Sequence, residues 1–162
     1  MRKPVLAPSL EHFLFQLSKN DEVLVTVLKG HLVIEALLVE VVQLRLFNDQ
    51  PWKWSFPKKV DWCIESGYLS DEEGDAIKGL NDIRNDFAHI LGHRLTFDTV
   101  FSLAGKLNNA GFIFSDETIY SDQSLSEEWY GIDGAIIEIL NTIFFHLAGL
   151  LAENGGNDYS DG

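Results

Sequence analysis

Arg84, Asn85 and His89 are the residues of this 162-residue chain whose types and spacing suit chemistry. An arginine fork grips phosphate or carboxylate, an imidazole moves protons near neutral pH, and an amide orients either group. Together they suit work on a phosphodiester. All three fall in Leu80-Asn81-Asp82-Ile83-Arg84-Asn85-Asp86-Phe87-Ala88-His89. At about 100° per residue, Ile77, Leu80, Ile83, Phe87 and Leu91 share one side of a helix, which must be buried. Asp82, Asp86, His89 and His93 share the far side. Arg84 lies at the edge of the apolar stripe, and His89 stands about 140° round from it. The two cannot form a tight pair on one ideal helix, but they can flank a common groove, especially where a second copy docks across it.

Several other residues can support or oppose such a site. His31 and Glu35 are four apart and face the same way, so they can pair with each other or with a cation from a neighbouring helix. Glu35 is the expected partner of Arg84; the bland alternative is a buried ion pair that only fixes register. Asp86 beside the motif repels a phosphate. Asp82, Asp86, His89 and His93 recur at i, i+4, i+7 and i+11, a face able to hold a divalent metal, although a solvated polar face has the same pattern and Gly92 interrupts it. Neither a metal nor another cofactor is expected. Trp52 and Trp54 sit in a breaker-bounded loop, Asn48 to Pro57. They read as contacts for a partner or a ligand base, or as a lid folded on the rest of the molecule.

Composition narrows the function classes. A net charge of −13 repels the phosphate backbone that supplies most nucleic-acid affinity, so a broad DNA-binding surface is not expected, while a small local site for RNA stays open. Cys63 is the single cysteine, which removes an intramolecular disulfide and a multi-cysteine zinc site and fits a reducing cytoplasm. Pro4 and Pro8 interrupt the start before an apolar signal segment develops. The most apolar run, Val23 to Phe47, contains Lys29, His31, Glu35 and Glu40 and reads as a buried helix, not a membrane span. The chain has no Gly-rich phosphate loop, nucleophile elbow, His-Glu-x-x-His or basic recognition helix.

The elements that must position the motif follow from periodicity and caps. Ser9 caps a first helix to about Lys19, and Asn20 or Asp21 caps a long central one to about Phe47. A short third helix runs from Pro57 through Ile64 and is ended by Gly67. Ser70 and Glu73 form a capping box for the motif helix, expected to end at Leu91 before Gly92. Thr96 caps a fifth helix to Leu107. Residues 112–131 read as a long acidic surface loop in which 112–114 and 118–120 can pair as short strands. A last amphipathic helix covers Ile132 to about Glu153. One domain over 1–153 and a disordered acidic tail over 154–162 are expected.

Ser66-Gly67-Tyr68-Leu69-Ser70-Asp71-Glu72-Glu73, followed by Ile83-Arg84-Asn85-Asp86-Phe87-Ala88-His89, resembles the core of the mannitol operon repressor family. That family is similar to the HEPN group of small helical proteins, many of which carry an Arg-x4–6-His motif. The resemblance covers roughly Leu32 to Phe101. It implies an all-α, HEPN-like up-and-down bundle of five or six helices, with a long central helix and a C-terminal amphipathic one. It also implies two functions. One is a non-catalytic regulator of transcription acting through protein contacts as a homodimer, with Arg84, Asn85 and His89 structural. The other is a toxin-like, metal-independent endoribonuclease in which Arg84 holds the scissile phosphate, Asn85 orients it and His89 exchanges the proton.

Overall fold

Among the described residues, six of the seven helices start where a short polar side chain can accept from the backbone. The computed structural model describes residue 4 and residues 9–159. Its helices are α1 (Leu10–Ser18), α2 (Glu22–Gln43), α3 (Phe56–Glu65), α4 (Asp71–His89), α5 (Phe97–Asn109), α6 (Thr118–Ser121) and α7 (Gln123–Glu153), with a 3-10 turn at Pro51–Lys53. Ser9, Asp21, Ser55, Ser70, Thr96 and Asp122 each accept from the amide three residues on, removing an orphan donor from the first turn. At Ser70 the box is reciprocal: Glu73 Oε2 accepts from the Ser70 amide at 2.7 Å. The fold is all-α, with no strand among the described residues. The readings placed on residues 1–3, 5–8 and 160–162 lie outside those described.

The two long helices make the core. Val27, Ile34, Leu38 and Val41 recur at i, i+7, i+11 and i+14 on α2 and are buried against α7, whose Ile136, Ile139, Ile143 and Leu147 are inaccessible to solvent. Gly30 lets them come close, because a Cβ there would stand 2.4 Å from the Leu140 side chain. α3 and α4 pack on each other and on α2, while α5 and α6 close the other side of α7. This covering of α7 bears on a second property. It is the one helix among the described residues long and apolar enough to cross a membrane, with a mean hydropathy of 1.8 over its most apolar window, half of which is buried in the fold.

The long loop expected over 112–131 is corrected. Residues 112–114 and 118–120 do not pair as strands; Thr118–Ser121 is α6, and α7 begins at Gln123. Phe112 is buried and its ring lies 4.2 Å from that of His146, so the segment is held inward before α6 starts. Asp116 then accepts from the Thr118 amide at 2.9 Å and from the Tyr130 hydroxyl. α7 is broken at Gly131, where φ 61° and ψ −173° form a combination open essentially to glycine alone. Beyond α7, the Tyr159 hydroxyl and Asn157 Nδ2 donate to Glu40 on α2.

Candidate functional site

Three polar residues occupy positions in otherwise apolar stripes, and the fold brings them together beneath the motif. His31 falls in the α2 stripe with Val27, Ile34 and Leu38, Lys59 in the α3 stripe with Phe56, Val60 and Cys63, and Asn81 on α4 beside Ile77 and Leu80. Each is buried. A buried polar group needs a partner, and each has one. His31 Nε2 lies 2.9 Å from Asn81 Oδ1, and the imidazole stacks on Phe56 with centroids 4.5 Å apart. Lys59 Nζ donates to Glu35 Oε1 and to the Trp54 carbonyl, both at 2.7 Å.

Burial holds the His31 pKa below its ordinary 6.5, against the raising influence of the Asn81 hydrogen bond and the Glu35 carboxylate; Arg84 and Lys59 push it further down. The unfolded chain therefore takes up a proton at this residue before the folded one does. Stability is full above pH 6.5 and falls as the pH drops from there toward the lowered folded value, by at most about 1.4 kcal/mol per pH unit. In urea titrations, the stability difference between wild type and His31→Gln is expected to shrink between pH 7 and pH 5.5. A constant difference would contradict a neutral buried imidazole.

The motif residues sit above this cluster and are divided. Arg84 and Asn85 are half-buried, and Arg84 Nη1 donates to Asn85 Oδ1 at 3.3 Å. His89 is the last residue of α4, and among the described residues no hydrogen bond or ion pair joins it to Arg84 or Asn85. The expected Glu35–Arg84 pair is corrected: Glu35 meets a cation from a neighbouring helix, but that cation is Lys59. α3 lies directly against α2 and carries Lys59 on its inner face, whereas Arg84 stands one turn beyond Asn81 at the edge of the stripe. Asp86 is half-buried on the same helix.

Among the described residues no group of three or more His, Cys, Asp or Glu is placed to hold a metal. Asp82, Asp86, His89 and His93 do not form one face, because α4 ends at His89 and His93 follows Gly92, with its ring edge-on to Phe87 at 5.0 Å. The two tryptophans also part company. Trp54 is half-buried against the core under Lys58, whose Nζ is 4.6 Å from the ring, while Trp52 is 57% exposed. Only Trp54 folds back.

A feature that single-residue motifs do not signal lies on the other flank of α2. Val25, Leu28, Leu32 and Val33 are exposed, Leu32 by 64%, and beside them α2 and α7 enclose a groove of about 310 Å³ lined mainly by Val33, Ile34, Ile137, Leu140 and Phe144. No carboxylate occurs between Val23 and Ile34, or between Ile139 and Ala152. The missed site residues Lys59 and Asn81 did carry a signal, namely polar types at apolar-stripe positions. Comparison with known proteins found no family model, no curated protein and no solved structure that matches this chain.

Proposed function

We propose that the chain is a non-catalytic regulatory protein, similar in action to the mannitol operon repressors, that works through protein contacts as a homodimer in the cytoplasm. An HEPN-like arrangement of the bundle and a role in transcription regulation belong to the same proposal. The supporting observation is the acid-free apolar face of α2 and α7 on a chain of net charge −13. Such a face suits a protein partner better than a polyanion, for which it offers the single cation Lys29. The division of the motif agrees with this reading, since His89 stands apart from Arg84 and Asn85 at the end of α4.

The ribonuclease alternative is favoured by one observation, the Arg84–Asn85 hydrogen bond, which keeps side by side the guanidinium and the amide that this reading assigns to the phosphate. In that reading His89 acts from across a dimer seam as the proton-transfer group. Incubation of purified protein with labelled RNA in EDTA separates the two. The regulatory reading expects intact RNA. Cleavage that is lost in both Arg84→Ala and His89→Ala, each retaining wild-type circular dichroism, would overturn it.

A further inference from the structure

We propose that the α2/α7 groove is the seat for helix α1 of a second copy of this chain, in a reciprocal twofold pairing. This rests on the homodimer in the reading above, and not on the absence of catalysis. α1 is the natural occupant because it has the right chemistry and an uncovered outer side: Leu10, Leu14, Phe15 and Leu17 are exposed by 54–73% although they lie in a helix with a formed N-cap. Among the described residues its packing is light and lies on the opposite side, where the Gln16 side chain is set against the Gly92 turn after α4. Apolar side chains left in water on a capped helix lose the burial that ordinarily holds a nine-residue helix together.

The fit is one of length, charge and area. α1 has nine residues, and the α2 wall of the groove runs over the same count, Thr26 to Ile34, so at 1.5 Å per residue both measure about 13–14 Å. The groove carries one charged side chain, Lys29, and α1 carries Glu11. Val25, Leu28 and Leu32 are exposed on the α2 surface beside the groove-lining Thr26, Lys29 and Val33, where a twofold axis sets each stripe against its own copy. A standard interface buries roughly 800 Å² per partner, which calls on the exposed apolar side chains of α1, the α2 stripe and the groove together. Helix-in-groove docking is a common mode of association.

Engineered cysteines test the pairing against a clean background, because Cys63 is fully buried and burial pushes its thiol up to about 12. Differently tagged Leu14→Cys and Ile137→Cys chains, both altered at exposed positions, are mixed and oxidised. A disulfide between the two chains is expected, with none when Ile113→Cys replaces Ile137→Cys. In sedimentation equilibrium the wild type is expected to be dimeric, and Leu14→Glu to weaken the dimer by roughly tenfold or more. A monomeric wild type, a dimer unaffected by Leu14→Glu, or a disulfide that forms only within a chain carrying both Leu14→Cys and Ile137→Cys would each overturn the proposal. RNA cleavage by the dimer would overturn the regulatory reading and leave this seat standing.

Discussion

Glu35→Ala is expected to destabilise the protein by about 3–5 kcal/mol, the cost of leaving one member of a buried ion pair unmatched. The Lys59 side chain is 0% exposed, and after the substitution its ammonium retains only the Trp54 carbonyl at 2.7 Å. The two halves of the pair are not equivalent, because Glu35 is 30% exposed and can turn to water when its partner is removed. Lys59→Met should therefore cost far less than Glu35→Ala, despite breaking the same contact. The double substitution Glu35→Leu with Lys59→Met should recover most of the loss. Urea denaturation at pH 7 measures all three. If Glu35→Ala falls within about 1 kcal/mol of wild type, the ammonium has a route to water and the cluster is not sealed.

Leu80→Ala should cost about 2–5 kcal/mol, and it tests how the motif is held in place. Leu80 is inaccessible, and its neighbours Ile77 and Ile83 complete the flank that α4 lays into the bundle. Deleting it opens a cavity one turn before Arg84. Arg84→Ala, in contrast, removes a half-buried side chain whose hydrogen bond goes to the adjacent residue, and should cost about 1 kcal/mol or less. The same denaturation series ranks them. The reverse order would assign Arg84 a structural task that its contacts do not explain.

The sequence was most legible where local chemistry decides the outcome. Apolar spacing placed α2, α4 and α5, and the side chains of Ser9, Asp21, Ser70 and Thr96 marked helix starts within a residue or two. Choices between distant partners were not legible. Glu35 had both Arg84 and Lys59 within the sequence as suitable cations, and only the docking of α3 on α2 selects Lys59. The segment before Gly131 was hidden for a related reason. Its Ser124, Glu127 and Glu128 weaken the apolar signal, and the buried member of that turn is a serine, Ser126, whose hydroxyl donates to the Ile119 carbonyl at 3.1 Å. In α1, Leu10, Leu14, Phe15 and Leu17 face outward, which apolar type alone does not signal.

The interruption at Gly131 also resets a rotational phase. In an uninterrupted rod, the side that meets α2 between Ile136 and Leu151 would fix which side chains of residues 123–130 turn inward, since each residue inherits its bearing from the next. One glycine at φ 61° cancels that inheritance, so the leading section chooses its own bearing and seats Ser126 against the turn before it. Evolutionary change in the leading section is thereby uncoupled from the core, and substitutions among Glu127, Glu128 and Trp129 can alter the outer surface without re-aiming a single isoleucine beneath it.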